Sequence, residues 1–381
     1  MESKNEKTSY SIQYIFNKFK DRYTQKYKLS KEQWKTLNAI INCKTSNLGY
    51  HKFTCEECGE EYFGTNSCRN RHCPMCQSYA REKWINNENN YLLECKYFHI
   101  VTTVPSELNE IFRYNPKESY KILFDATSEA ILELSNDSKW LGAKAGIVAI
   151  LHTWGQTLEF HPHIHCIVTG GGLKNNRWIE CKKDYLFKVQ VLSSLFRGKF
   201  LSKLKKINLK LPENLEYLKD EKEFNKFLEP LYQKSWVTYV EPPKGSPENV
   251  IEYIGRYAFR VAICNERIVE VTDDTVTFEY KDYKDGGKVK QTTITGEEFI
   301  RRFLLHVLPD RFMKIRHYGI LGNRHKKSII NFCRLLIGKL INRDFSSVRE
   351  FKRKLRVFTC DKCGGTSFVY EFFYPDRRQL V

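Results

Sequence analysis

The segment Glu159–Val168, EFHPHIHCIV, places histidines at 161, 163 and 165. Side chains two apart in a strand share a face, so His163 and His165 would present two imidazoles to one ion while Ile164 turns into the core. A lone histidine is ordinarily packed or solvated; two in register before Gly170-Gly171-Gly172 point to a metal. Two imidazoles and a third N or O ligand leave open coordination positions, which describes a catalytic rather than a structural ion. An antiparallel neighbour over Ile150–Gln156 would bring the third ligand alongside. Gln156 is the expected one, with His152 and His161 as alternatives. Hard ligands suit Mg²⁺ or Mn²⁺, and a third histidine would shift the preference toward Mn²⁺ or Zn²⁺.

In Glu252–Arg260, EYIGRYAFR, Tyr253 and Tyr257 stand four apart on an expected helix and share one face. Tyrosines at that spacing ordinarily pack in a core, but the metal pattern gives them a second role. A phenol is a poor nucleophile until a metal and cations stabilise the phenolate and the phosphate it attacks, and Arg256 and Arg260 lie within a turn. Attack on a DNA phosphate would leave a 5′-phosphotyrosine and a free 3′-OH, so rejoining needs no ATP. Two tyrosines would permit two successive strand transfers, which a hydrolase does not require.

Cys55, Cys58, Cys73 and Cys76 form a C-x2-C-x14-C-x2-C pattern able to close a thiolate shell around zinc. Gly59 and Pro74 suit the tight backbone of such knuckles. His51, Cys68 and His72 crowd the same stretch, so either the ligand set is permuted or a second ion is held. Cys360 and Cys363 are half a site and need partners from elsewhere, the spare N-terminal ligands among them.

These residues need elements to hold them. Apolar spacing predicts two short helices before residue 50, a helix over Ala80–Leu93, a strand over Tyr97–Val104 and a helix over Pro116–Leu134. Buried-looking strands follow at Ala145–Leu151 and Ile164–Val168, the latter ended by the three glycines. Together they predict an α+β fold with a central antiparallel sheet flanked by helices. Residues 173–246 are less legible and read as an insertion. Within them Arg197–Lys210, RGKFLSKLKKINLK, is either a solvated helix face or a phosphate-contacting helix, the latter using Arg197, Lys203, Lys205 and Lys206. Pro242, Pro243 and Pro247 mark a linker before a helix over Asn249–Arg260. A β-meander over 266–296, a helix over Glu297–Val307, another near Ser328–Leu340 and the basic stretch Arg349–Arg356 complete the chain. The expected divisions are 1–94, 95–265 and 266–381.

The 63 Lys and Arg outweigh the 45 Asp and Glu by 18 positive charges over 381 residues, a field that favours a polyanion and makes nucleic acid the leading partner. At 41% hydrophobic and 14% aromatic the chain can bury real cores, which excludes a disordered basic tail. No run reaches the roughly 18 apolar residues of a membrane span, and the polar start MESKNEKTSY is unlike a signal peptide, so a cytoplasmic protein is expected. Thirteen cysteines in a reducing compartment argue for metal sites over disulfides.

Five stretches resemble, in sequence and order, the IS91-type insertion-sequence transposases: CRNRHCPMCQ (68–77), HTWGQTLEFHPHIH (152–165), YIGRYAFRVAI (253–263), EEFIRRFLLHVLPDRFMKIRHYGILGNR (297–324) and CDKCGG (360–365). The resemblance implies an N-terminal zinc-binding module, a nuclease domain of the histidine-hydrophobic-histidine (HUH) type and a helix bearing two tyrosines. It implies that His163 and His165 carry a catalytic divalent ion, that Tyr253 and Tyr257 are the nucleophiles and that Cys55, Cys58, Cys73 and Cys76 bind zinc. It further implies rolling-circle transposition on single-stranded DNA and element termini, at the bacterial nucleoid, with an oligomer possible. A rolling-circle replication initiator or relaxase, and a non-catalytic zinc DNA-binding regulator, are the alternatives; a covalent DNA adduct separates the first two readings from the third.

Overall fold

The protein is described by a computed structural model covering residues 10–241, 250, 255, 258, 259, 261–340 and 358–375. The first helices follow from their caps and spacing. In α1 (Ile12–Lys26) the Ser11 side chain accepts from the Tyr14 amide, and Ile12, Ile15, Phe16, Phe19 and Tyr23 form one buried stripe. A Ser30–Gln33 capping box starts α2 (Lys31–Ile41). Strands β1 (Tyr50–Cys55) and β2 (Glu61–Thr65) follow, then α3 (Pro74–Asn89), which begins at Pro74 rather than Ala80 because a proline is well placed in a first helical turn.

The central sheet is antiparallel and orders its strands β11-β4-β5-β3-β7, with β6 pairing β5. Here β3 is Tyr97–Thr103, β4 Lys144–Trp154, β5 Phe160–Lys174, β6 Arg177–Glu180, β7 Thr238–Glu241 and β11 Ile315–Gly319. One face carries Ile147, Ala149, Leu151, Ile164, Cys166 and Val168 into a core with α4 (Asn109–Tyr114), α5 (Pro116–Asn136), α6 (Val189–Leu204) and α7 (Glu221–Gln233). The other face carries Val148, Ile150 and Ile167 against Ile85 of α3, Val250 and Ala258, and Ile330, Cys333 and Ile337 of a late helix over Lys326–Leu340. A third core joins α1 and α2 to the meander β8 (Ile268–Val271), β9 (Thr275–Asp282) and β10 (Lys288–Thr295) and to α8 (Gly296–Leu304). The mixed α+β class with helix-flanked antiparallel sheets is therefore the observed one.

The three glycines do not end β5, which runs through them to Lys174. They serve close packing: a Cβ on Gly171 would lie 2.2 Å from the Trp178 ring, and one on Gly172 would lie 2.6 Å from the Lys144 carbonyl oxygen. Residues 173–246, expected as an insertion, supply β6, α6, α7 and β7, and β7 extends the sheet by pairing with β3. The C-terminal strand β12 (Phe368–Phe373) returns to the N-terminal module, pairing along all of β1 from Tyr50↔Phe373 to Cys55↔Phe368. The helix expected over Asn249–Arg260 falls largely, and the stretch Arg349–Arg356 wholly, outside the described residues.

Gly319 closes β11 at φ +64°, and a Cβ there would sit 1.8 Å from the Ala145 carbonyl oxygen, which is backbone and cannot move away cheaply. Gly319→Ala is expected to destabilise the sheet edge by roughly 2–4 kcal/mol, read as a lowered thermal midpoint; an unchanged midpoint would refute the tight approach of β11 to β4.

Candidate active site and metal centres

His163 and His165 lie on the β5 face shared with Ile167, as the period of two requires, while Ile164 is fully buried on the other face. Opposite them His152 of β4 pairs directly with His163, and Ile150 pairs with His165. One nitrogen from each of His152, His163 and His165 falls within 4.8 Å of the other two. His163 Nδ1 donates to the His161 carbonyl oxygen (2.6 Å), which leaves Nε2 as its lone-pair nitrogen. That Nε2 lies 3.1 Å from His165 Nε2, whose Nδ1 in turn lies 2.9 Å from His99 Nε2 on β3. Ring nitrogens this close fit a shared cation: metal–nitrogen bonds of about 2.1 Å give edges of roughly 3.0–3.4 Å for octahedral or tetrahedral ligands. Burial pushes His163 down to about 4, so it is a neutral imidazole able to ligate at neutral pH. His99, also brought to about 4 by burial, orients His165 as outer-shell partners of metal-bound histidines do.

Gln156, the expected third ligand, is not in this group. The connection after β4 closes within residues 155–159, with Gly155 N donating to the Glu159 carbonyl (3.0 Å), so Gln156 lies beyond the end of the ladder. Its carbonyl accepts from Arg267 (2.5 Å) and its Oε1 from the Lys281 amide (3.4 Å). His161 is exposed and contributes only its carbonyl. Of the three candidates, His152 is the one whose ring lies beside both His163 and His165.

Tyr253, Tyr257, Arg256 and Arg260 lie outside the described residues. Their described neighbours rest on the histidine-bearing side of the sheet: Val250 and Ala258 join Val148, Ile150 and Ile167 in one buried cluster, a Cβ on Gly255 would meet Ile85 of α3 at 2.6 Å, and Phe259 lies against Trp84.

The cysteines divide differently from the sequence expectation. Cys55, Cys58, Cys73 and Cys76 do not converge; Cys43, Cys68, Cys73 and Cys76 form one group, and Cys55, Cys58, Cys360 and Cys363 another. The Sγ separations are 3.6 Å for Cys43–Cys76 and Cys68–Cys76, 3.6 Å for Cys55–Cys363 and 3.5 Å for Cys58–Cys360. Those values are far above a disulfide length and close to the edge, about 3.8 Å, of a ZnS₄ tetrahedron with bonds of about 2.3 Å. The Cys68 amide lies 3.5 Å from Cys43 Sγ, the Asn70 amide 3.5 Å from Cys68 Sγ and the Gly365 amide 3.4 Å from Cys363 Sγ, the N–H···S contacts that stabilise thiolates. A hydrogen bond with Tyr62 at 3.3 Å holds the Cys360 thiol down to about 6. Both donor sets fit zinc, and the half-site of Cys360 and Cys363 is completed by Cys55 and Cys58.

His51 and His72 ligate neither group. His51 Nδ1 pairs with Asn66 Oδ1 (3.0 Å), and His72, neutralised by burial to about 3, accepts from the Leu308 amide (3.3 Å). In the basic run, Lys199 and Lys203 pair with Glu133 and Glu129 of α5 (2.6 and 2.8 Å), Arg197 donates to the Lys234 carbonyl (2.7 Å), and Lys205 and Lys206 are exposed. Partly solvated pairs of this kind are worth about 0–1 kcal/mol each. His317 and Lys326 share Glu88 Oε2 at 3.3 and 2.9 Å, whereas Arg316 stacks over Phe124 at 4.2 Å.

Cys43 and His99 were not singled out by spacing. Cys43 stands alone in sequence and joins its group only through packing at the end of α2. His99 could have been found from the strand Tyr97–Val104, whose alternation puts it on one face with Val101.

No helix among the described residues is long and apolar enough to cross a membrane. Residues 146–328 match the family model described as "Putative transposase", and residues 15–104 match the model of a transposase zinc-binding domain. The chain is 44% identical over 331 residues to "Putative transposase y4qJ" of Sinorhizobium fredii (strain NBRC 101917 / NGR234), covering 85% of this chain and 83% of the relative. It is 29% identical over 308 residues to the transposase for insertion sequence element IS801 of Pseudomonas savastanoi pv. phaseolicola, covering 76% and 70%. No solved structure matches.

Proposed function

This chain belongs to the IS91-type transposase family with an N-terminal zinc-binding domain, and from that premise we propose that it nicks and rejoins single-stranded DNA through 5′-phosphotyrosine intermediates in rolling-circle transposition. The observation that carries this reading is the convergence of His152, His163 and His165 on one sheet face, against which the residues flanking the two tyrosines pack. A divalent ion held by the three imidazoles, Mg²⁺ or Mn²⁺, would supply Lewis-acid polarisation of a phosphoryl oxygen. Tyr253 or Tyr257 would attack the phosphorus in line: the Oη–P bond forms, the P–O3′ bond breaks, and the phenol proton is given up to solvent, which returns one to the leaving oxygen so that it departs as a 3′-OH. Reversal by an incoming 3′-OH restores the diester, and the second tyrosine would hold a second end meanwhile. Arg256 and Arg260, a turn away in sequence, would neutralise the phosphate. Two structural zinc ions would be held by Cys43, Cys68, Cys73 and Cys76 and by Cys55, Cys58, Cys360 and Cys363.

Incubating the protein with labelled single-stranded DNA and Mn²⁺ is expected to give a covalent protein–DNA adduct that survives denaturation. The double variant Tyr253→Phe, Tyr257→Phe is expected to give none, a loss of at least about 10³-fold, because no other described side chain is placed by this reading as nucleophile. An adduct of normal yield in the double variant would overturn the assignment.

A further inference from the structure

Arg71, in the knuckle loop before α3, and Lys314, just before β11, face one narrow, partly open cavity with His72, Thr153, Trp154 and His306. None of the residues lining it is acidic. The Leu151 amide donates to the Lys314 carbonyl (2.9 Å), fixing Lys314 beside the strand that carries His152. Lys314 is half-buried. Among the described residues its ammonium has no hydrogen-bond or carboxylate partner, and it stands 5.9 Å from the centre of the Phe259 ring. Burial brings it down to about 8, with repulsion from Arg71 adding to the effect. Arg71 is itself turned toward the cavity by donating to the Phe312 and Pro309 carbonyls, and the carboxylate whose field reaches it, Asp310, is exposed beside Arg311.

Two cations crowded together without an anion are costly, and a bound anion would relieve both desolvation and repulsion. The cavity adjoins the histidine cluster, since Leu151 and Thr153 flank His152 and the Trp154 ring stacks on the His152 ring at 4.6 Å. Its wall also includes Val261 and Ala262, four and five residues beyond Tyr257. We propose that Arg71 and Lys314 form a phosphate-binding subsite that grips one backbone phosphodiester of a single strand beside the phosphate being cut. The space is too narrow to admit a base. The proposal rests on the reading of the histidine cluster as the place where a DNA strand is processed.

The test reads binding and not cleavage, so a chain that forms no covalent adduct would sink that reading while leaving this one measurable. Affinity for a fluorescent single-stranded oligonucleotide is followed by anisotropy across a salt series with no divalent ion added. Lys314→Met is expected to weaken binding roughly tenfold and to reduce the slope of log K against log salt by about 0.7, the value for one lost phosphate contact on a single strand; Lys314→Arg is expected to restore both. A folded Lys314→Met protein with the original slope would overturn the proposal. The unaltered protein provides a second reading: bound oligonucleotide is expected to shield Lys314 from amine acetylation, mapped by peptide mass spectrometry, and equal labelling with and without DNA would likewise overturn it.

Discussion

Replacing His163 or His152 by alanine is expected to reduce adduct formation by about 10³-fold or more, whereas Gln156→Ala is expected to leave it within about twofold. The contrast follows from the ladder. His152 stands directly across from His163, and each lies within reach of His165, so losing either imidazole leaves two ligands where three converge. Gln156 hangs past the end of β4, its amide oxygen taken by the Lys281 amide. His99→Ala should fall between, at about 10–100-fold, because it orients His165 without joining the cluster. DNA affinity should change little in all four variants, since net charge rather than the ion supplies it. Adduct yield against Mn²⁺ concentration measures the series. Loss of activity in Gln156→Ala with retention in His152→Ala would show that the third ligand had been misassigned.

That series also marks where the sequence stops being informative. The pair His163 and His165 is legible because a strand has a period of two, and their shared face needs no knowledge of the neighbours. The third ligand depends on the register between β4 and β5, which a bulge between His152 and Trp154 shifts before the tight turn closes. Two residues four apart on one strand cannot be ranked without that bulge. The cysteines repeat the lesson. Each Cys-x-x-Cys knuckle is local, and all of them stand out in the sequence. Which knuckle shares an ion with which is a matter of tertiary packing: Cys58 meets Cys360, 302 residues away, only because β12 returns to β1. Glycines 170–172 mislead for the opposite reason, since the residue type that commonly ends a strand is used here to admit Trp178 and the Lys144 backbone. Lys314 was hidden because a single lysine in KIRHYG has no periodicity to reveal that it lines a cavity with Arg71.

The division of cysteines predicts a zinc inventory that the sequence pattern alone would get wrong. Elemental analysis of the purified chain is expected to find two tightly held zinc ions. Cys55→Ser, Cys360→Ser together should remove one, because both mutations strike the same group, and so should Cys43→Ser, Cys73→Ser. Cys55→Ser, Cys73→Ser should remove both, whereas a single site built from Cys55, Cys58, Cys73 and Cys76 would lose only one. The structural consequences differ as well. Cys73 is fully buried and packs with α1, α2 and α8, so loss of its ion should lower the stability of the whole N-terminal core. The other group ties down β12, whose aromatic side chains Tyr370, Phe372 and Phe373 keep 52%, 47% and 39% of their surface exposed. So little apolar burial cannot hold a C-terminal strand, and zinc binding free energies of about 10–16 kcal/mol make the ion the dominant restraint. Cys360→Ser is therefore expected to free residues 358–375 to proteolysis while the central sheet unfolds at its original temperature. Protection of that segment in the variant, or retention of both ions in Cys55→Ser, Cys73→Ser, would contradict the two-centre arrangement.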